Sequence, residues 1–558
     1  MSLGKHFING VIDPVERALH SHLYGRPDLR FIPSSKVLYR QPKDDESKVL
    51  LLSGGGSGHE PAYAGYLGDG MLDIAVAGNI FASPSASQVG AGLRAVDSPK
   101  GTLMLVKNYT GDKLNFGLAA EKAKADGRLV NVVFINEDVS VEGNSLVGQR
   151  GLSGIVFVLK IAGALAATGA DLSAVTQMAQ KAADQMATAA ASLDRCSVPN
   201  RGKQECLPFD EMEYGMGIHN EPGVTREKLQ AFEDTIQGVV AMVLKTRPGA
   251  WSPSATQEIA LMVNNLGGLS VLEMSVITDE VLHQLSRTGI HISRCISGTF
   301  LTSLDGPGFS ITLLGLDEEL KKHLDAPTSA AAWPKEIGLV DVTAVASQVV
   351  LTAEKRTEPA TCNNSGTLLD VATIKQTIAS ITTTTREDEP LITQYDTIAG
   401  DGDCGETLIN GVNAFLEETR DLNGGRIAPS ELFRRAAIAA EKGMGGTSGA
   451  IYAIFLNAAA NSLSSREKAA TATESVGHRT LMDALIPFVE VLSTSGFDAA
   501  REEAKKGADA TQKMAAAMGR ASYVGQDVFD ERGGIPDPGA LGVVSILKGI
   551  SLVLGSNS

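Results

Sequence analysis

Cysteine is scarce in this chain: five residues in 558, namely Cys196, Cys206, Cys295, Cys362 and Cys404, with no Cys-x-x-Cys spacing. A disulfide framework and a structural zinc site are therefore not expected, and a reducing cytoplasm is the expected compartment. Aromatic residues make up only 5%, so an aromatic-rich binding face is not expected. Basic runs are missing. With 49 basic against 65 acidic residues the net charge is −16, which argues against nucleic acid or an anionic membrane as partner. A local phosphate site is still allowed, because backbone N–H groups and Mg²⁺ can supply the positive field. No apolar run reaches membrane-spanning length, and the N-terminus from Met1 to Phe7 lacks the apolar segment of a secretory signal.

Glycine, by contrast, is abundant at 59 residues. This fits α/β or helical architecture with many tight turns. A chain of 558 residues is too long for one core and predicts two to four domains. Up to about Val342 strand-like and helix-like segments alternate. Val49–Leu52, Thr102–Val106, Leu129–Phe134, Glu258–Val263 and Phe309–Gly315 read as strands, the first three buried and parallel, and Phe116–Ala125 as a helix. The run from Gly154 to Leu193 reads as Ala-rich helices. The N-terminal block, 1–342, is thus expected to be α/β in two subdomains. A polar, aperiodic stretch at 343–366 reads as a linker. The block 367–558 reads as all-α, with helices at Leu432–Lys442, Ile451–Leu463 and Ala500–Met518.

The densest chemical signal is Asp401-Gly-Asp403-Cys404-Gly-Glu406, with Asp396 five positions before Asp401. Three carboxylates at i, i+5 and i+7 can converge on one side of a Gly turn between the expected helices Pro390–Ile398 and Thr407–Glu418. Oxygen-only ligands suit Mg²⁺ sharing its shell with phosphates. An EF-hand fails, because its sixth and twelfth positions would hold Glu406 and Val412. A solvated Asp-Gly turn is the competing reading.

Glycine runs mark the other candidates. Ser53-Gly-Gly-Gly56-Ser57-Gly58-His59-Glu60-Pro61 follows a strand, yet lacks the third glycine of a dinucleotide fingerprint and the Lys of a phosphate-binding P-loop. What remains is a Gly loop presenting His59. Lys107-Asn-Tyr-Thr-Gly-Asp112 follows the next strand, so His59 and Asp112 could face one crevice at strand C-termini. Asp112 could act as a general base or merely cap the helix after it. His219, in Tyr214-Gly-Met-Gly-Ile-His219-Asn-Glu-Pro-Gly223, could be nucleophile, base or an ordinary loop histidine. In the helical block, Gly445-Gly446-Thr447-Ser448-Gly449 precedes a helix expected to start near Ala450, a setting for an anion or a plain Ser cap. Arg520 could neutralise phosphate.

Taken together, these segments resemble the dihydroxyacetone kinase family in its single-chain, ATP-using form. The Gly54–Pro61, Val106–Asp112 and Gly215–Gly223 segments, with Asn264-Asn-Leu-Gly-Gly268 and Ala331-Ala-Trp-Pro334, look like its triose-binding K domain. Asp396–Gly405, Gly445–Gly449, Gly519–Tyr523 and Asp537-Pro538-Gly539 look like its nucleotide-binding L domain, a barrel of antiparallel helices. The resemblance covers nearly the whole chain. It implies phosphorylation of dihydroxyacetone, and of glyceraldehyde, with the substrate carbonyl bound to His219 as a hemiaminal. Gly56, Ser57, Gly58, His59, Lys107 and Asp112 would form the substrate pocket, with Asp112 accepting the hydroxyl proton and His59 assisting. Asp396, Asp401 and Asp403 would hold two Mg²⁺ ions with ATP. Nucleotide contacts would involve Asp401, Gly402, Asp403, Cys404, Thr407, Gly446, Thr447, Ser448, Thr480, Leu481, Arg520, Asp537, Pro538 and Gly539. His478 departs from the Asp that often precedes Arg-Thr in the adenine-side loop.

The resemblance also implies a homodimer, and phosphoryl transfer is expected to cross between subunits, because a linker of about 24 residues spans tens of ångströms when extended. Cyclisation of FAD, a non-catalytic regulatory relative and use of a phosphoprotein donor are the alternatives. The regulatory reading predicts loss of His219 or of an Asp ligand, and all are intact. Fusion of both domains in one chain favours free ATP over a phosphoprotein donor.

Overall fold

The computed structural model describes residues 4–41, 47–141, 148–201, 205–245, 251–340, 348, 368–465, 476–517 and 520–556. The linker expected at 343–366 lies outside them but for Gln348. The chain divides into two compact units, Met1–Leu351 and Thr352–Ser558.

The first unit holds two sheets. One comprises β1 (Leu29–Ile32), β2 (Val37–Arg40), β3 (Leu50–Ser57), β4 (Ile74–Ile80), β5 (Thr102–Lys107) and β6 (Val130–Ile135), in the order β1-β2-β4-β3-β5-β6. Strands β3 to β6 pair in parallel, as the apolar runs at β3, β5 and β6 predict; β4 was not among the expected strands. The other comprises β7 (Met186–Ser192), β8 (Glu211–Tyr214), β9 (Thr225–Lys228), β10 (Glu258–Asn265), β11 (His291–Gly298), β12 (Gly308–Leu316) and β13 (Gly338–Leu339), ordered β13-β11-β10-β12-β7-β8-β9. Of its pairs only β10–β11 is parallel among the described residues.

Between the sheets run the helices Ile155–Ala167 and Leu172–Asp184. Nearly every side chain of the first is buried, and its Val156, Phe157 and Ile161 join Leu51, Leu105, Met262 and Leu314 in one core. The outer faces are covered by helices Ala86–Ala95 and Thr110–Ala125 on one sheet and Phe232–Leu244 and Val271–Arg287 on the other. The expected helical run to Leu193 is corrected here, because Met186–Ser192 is a strand with all seven residues buried. Alanines have high intrinsic helix propensity, but pairing to both β12 and β8 overrides it.

The second unit is a ring of helices: Val371–Ala399, Cys404–Glu418, Pro429–Gly443, Gly446–Ser465, Met482–Ser495, Phe497–Ala510 and Pro538–Ser556. The first four pack in succession, Met482–Ser495 packs on Phe497–Ala510, and Pro538–Ser556 packs on Phe497–Ala510 and closes against Val371–Ala399; Ile451 and Tyr452 join Met482 and Leu485 in one apolar cluster. A two-stranded ladder, Leu369–Asp370 with Arg426–Ile427, interrupts the all-α pattern. The helix expected over Ala500–Met518 ends at Ala510, where the Thr511 hydroxyl bonds back to Ala508 O at 2.6 Å and accepts from Asp537 N; Met518 lies outside the described residues. The expected absence of a membrane-length apolar run is also corrected. Pro538–Gly555 is long and apolar enough by length and composition. Its Ala540, Val543 and Leu547 are instead buried against Leu481, Leu485 and Ala508, and Lys548 faces Asp388.

Candidate functional site

In the first unit β3 ends in its glycines because the neighbouring chain is close. A Cβ on Gly56 would lie 2.8 Å from Ala82 N, and one on Gly55 would lie 3.5 Å from an Asp112 carboxylate oxygen. Gly58 follows with φ +97°, a conformation open to glycine. The turn delivers His59, which is fully buried. Its Nδ1–H donates to Thr302 O at 2.8 Å, and its ring stacks on Phe81 at 5.4 Å. Burial, with Lys107 and His219 nearby, holds its pKa well below the usual histidine range.

From a loop 160 residues away, His219 brings its Nε2 to 3.1 Å from His59 Nε2. The His219 backbone N–H donates to Glu221 Oε2 at 2.7 Å, and its Nδ1–H to Glu221 Oε1 at 3.0 Å. Gly217 permits this clasp, since a Cβ there would fall 2.1 Å from Glu221 Oε2. Burial alone would raise the Glu221 carboxyl, but the His219 hydrogen bond and charge hold it at about 2. A carbonyl and a carboxylate can only accept, so both rings carry their proton on Nδ1. Two bare Nε2 lone pairs at 3.1 Å repel, so the contact suits a proton passing between the two rings.

Asp112 is 3% exposed in the first turn of Thr110–Ala125. It is not the N-cap: Tyr109 holds that position, and Asp112 instead accepts from the Ser83 hydroxyl. Burial raises its pKa, partly offset by Lys107. Lys107 is fully buried, and burial pulls its ammonium down to about 8. Its Nζ lies 5.6 Å from the centroid of Tyr109. Lys107 Nζ, Tyr109 Oη and Glu137 Oε2 are buried without a hydrogen-bond partner, so each retains hydrogen-bonding capacity for a small hydroxylated ligand. The Ser57 hydroxyl is spent on Gly78 O at 2.8 Å.

In the second unit one ligand atom from each of Asp396, Asp401 and Asp403 lies within 4.8 Å of the others. Asp396 ends the long helix, Gly402 turns the chain at φ +80°, and Asp403 precedes Cys404–Glu418. Asp403 makes no side-chain cap; Cys404 N donates to Asp396 Oδ2 at 2.9 Å instead. The Asp403 carboxylate is therefore not spent on capping. Three clustered carboxylates form an oxygen donor set that fits a hard cation such as Mg²⁺. Cys404, half-buried beside Asp396 and Asp537, has its thiol pushed up to about 12 by burial and is inert as a nucleophile.

The remaining predicted residues converge here to different degrees. Asp537 is buried and its Oδ1 caps Ala540 N at 2.8 Å, opening Pro538–Ser556. A Cβ on Gly539 would lie 3.2 Å from Leu481 Cβ, so Leu481 and 537–539 meet. Thr480 N donates to the buried Asp483 at 2.8 Å. Gly446, Thr447 and Ser448 lie within the first turn of Gly446–Ser465, four residues earlier than the expected helix start, where backbone N–H groups lack intrahelical partners and could meet an anion. Thr407 is half-buried in the first turn of Cys404–Glu418. Arg520 opens the turn Arg520–Tyr523, and Ala521 packs on Ala399 beside the acidic cluster. Gly519 lies outside the described residues.

Sequence reasoning missed Glu221, Thr302 and Ser83, and also Arg479. The His-x-Glu spacing was a usable signal for Glu221. Arg479 is buried with φ +58°, donates from Nη2 to Ile535 O at 3.0 Å, and lies 4.3 Å over the Phe529 ring.

The family model described as Dak1 domain matches residues 21–332, and that described as DAK2 domain matches residues 398–552. Dihydroxyacetone kinase 2 of Saccharomyces cerevisiae is 40% identical, covering 95% of this chain and 96% of its own. The human triokinase/FMN cyclase is 36% identical over 99% of this chain and 100% of its own. The crystal structure of the dihydroxyacetone kinase from C. freundii in complex with AMP-PNP and Mg²⁺ superposes with a TM-score of 0.63, at 29% identity, covering 98% of this chain and 99% of that one. With both domains fused in one chain and relatives at about 40% identity over nearly its full length, this chain belongs to the dihydroxyacetone kinase family.

Proposed function

We propose that the protein phosphorylates dihydroxyacetone, and glyceraldehyde, at the expense of ATP. The observation that supports this most is the His59–His219–Glu221 arrangement. His219 Nε2 adds to the substrate carbonyl carbon, and the proton shared with His59 moves to the carbonyl oxygen. The product is a neutral hemiaminal hydroxyl on an imidazolium, whose charge Glu221 balances. Glycerol lacks a carbonyl and forms no such adduct, a stronger filter than hydroxyl recognition alone. Asp112 accepts the proton of a terminal hydroxyl, the oxygen attacks the γ-phosphorus, and the bond to the β-phosphate oxygen breaks. Lys107 orients the substrate oxygens.

Asp396, Asp401 and Asp403 would hold two Mg²⁺ ions, which would supply neutralisation of phosphate charge. Backbone groups of Gly446, Thr447 and Ser448, with Gly402, Cys404, Thr407 and Arg520, surround the phosphates. Thr480, Leu481 and the Asp537-Pro538-Gly539 turn border the nucleotide base. We further propose a homodimer in which phosphoryl transfer crosses between subunits. Mixing His219→Ala with Asp401→Ala chains restores activity if it does, and none if transfer stays within one chain.

A coupled assay with ATP and Mg²⁺ tests the kinase reading: activity on dihydroxyacetone but not glycerol is expected, and no activity on either overturns it. The human relative's second name supports a further activity at the nucleotide site, cyclisation of FAD with release of AMP. Chromatographic detection of AMP from FAD and a divalent metal tests it.

A further inference from the structure

Asn264, at the end of β10, touches neither histidine, yet it is fully buried and every hydrogen-bonding position of its amide is used. Its Oδ1 accepts from Phe300 N and Leu301 N, both at 2.9 Å. Its Nδ2 donates to Leu301 O at 2.8 Å and to Ser310 Oγ at 3.1 Å. Four bonds are the full capacity of a primary amide. The rest of the Asn264–Gly268 run packs on the same segment: a Cβ on Gly267 would lie 1.9 Å from Leu304 O, and Gly268 N donates to Gly306 O at 2.9 Å.

The segment that Asn264 grips, Phe300–Leu304, contacts both histidine loops. Thr302 O receives the His59 Nδ1–H at 2.8 Å, and Thr302 N donates back to His59 O at 3.2 Å. Leu304 N donates to Gly58 O at 2.8 Å. The Ser303 hydroxyl donates to Ile218 O at 2.8 Å, the peptide just before His219. The direction of the Thr302 carbonyl selects the His59 tautomer. With Nδ1–H donated there, Nε2 offers a lone pair to His219. If that peptide turned away, His59 could carry its proton on Nε2, and His219 would face an N–H instead of a proton acceptor.

We propose that Asn264 is a positioning residue for the histidine pair: by fixing Phe300–Leu304 it sets the His59 tautomer and the distance to His219. This rests on the histidine roles proposed above. The test uses full-length Asn264→Ala, Asn264→Asp and Ser303→Ala, with histidine labelled in both ring nitrogens and His59 signals assigned by their loss in His59→Asn. Nitrogen NMR of the wild type is expected to show His59 protonated on Nδ1. Asn264→Ala is expected to shift His59 toward the other tautomer. It should also lower kcat on dihydroxyacetone about a hundredfold, the scale of an ångström-sized misplacement, with KM for ATP changed less than about twofold. Asn264→Asp keeps the acceptor for Phe300 N and Leu301 N but loses the donor to Leu301 O, so it shows a smaller tautomer shift than Ala. Ser303→Ala leaves the His59 tautomer unchanged and lowers kcat. A folded Asn264 variant with wild-type His59 signals and wild-type kcat overturns the proposal. A wild type inactive on dihydroxyacetone overturns the kinase reading instead, while the tautomer measurement still decides the role of Asn264.

Discussion

Replacing Asp537 by Asn should stabilise the helical unit while weakening its nucleotide site. Asp537 is 9% exposed, with Asp483 and Asp396 as charged neighbours and Arg479 as the counter-charge. Burial pushes its carboxyl from an ordinary 3.8 to about 6, against the pull of the Ala540 N–H and Arg479. That displacement corresponds to about 3 kcal/mol against the ionised form. Because the folded-state value lies above the unfolded one, the penalty is absent below pH 3.8, builds up to about 6 and is complete above it. Asparagine keeps the acceptor for Ala540 N and carries no charge, so the cap survives. In EDTA, Asp537→Asn should match the wild type near pH 4 and exceed it by about 3 kcal/mol at pH 8. Trp251 and Trp333 both lie in the first unit, so urea unfolding is followed by far-ultraviolet circular dichroism. Calorimetry with ADP and Mg²⁺ should show weaker binding by the variant. A stability difference that does not change between pH 4 and 8 would refute the reasoning.

Three other outcomes follow from the same geometry. Because burial raises Asp112, the acid limb of the kcat profile should lie above the ordinary carboxylate range, with activity lost as pH falls through it. Lys107→Met removes the cation that partly offsets burial, so the limb should move to higher pH; movement to lower pH sinks the assignment of Asp112 as base. Asp401→Asn removes one of three exposed or half-exposed carboxylates and should weaken Mg²⁺-dependent ADP binding about tenfold or more, at unchanged melting temperature; equal affinity with and without Mg²⁺ in the wild type contradicts the metal assignment.

The strands that lead to the candidate loops were legible because their apolar runs stop at glycine-rich or polar turns, as at Gly54–Gly58 and Lys107–Asp112. The acidic cluster was legible because its three members lie within eight residues. Met186–Ser192 was not, since an alanine run has no strand signature until two neighbours pair with it. Nor were the partners that tune the site. Thr302 lies 243 residues from the histidine whose proton it accepts, and Ser83 is 29 residues from Asp112. Those pairings exist only once loops from several strands meet. Arg479 hides for another reason: its left-handed backbone and its seat over Phe529 are tertiary properties that a Gly-His-Arg-Thr stretch does not announce. Local glycine grammar thus pointed to the candidate loops, while the partners that orient their side chains come from long-range contacts.

The central claim is covalent capture of the substrate carbonyl by His219. Carbon NMR of dihydroxyacetone labelled at its carbonyl carbon, bound to the wild type and to His219→Ala, tests it directly. The account predicts that the carbonyl resonance is replaced by an enzyme-bound tetrahedral carbon in the wild type and persists in the variant. A wild type that phosphorylates the substrate while its bound carbonyl resonance stays intact would contradict it.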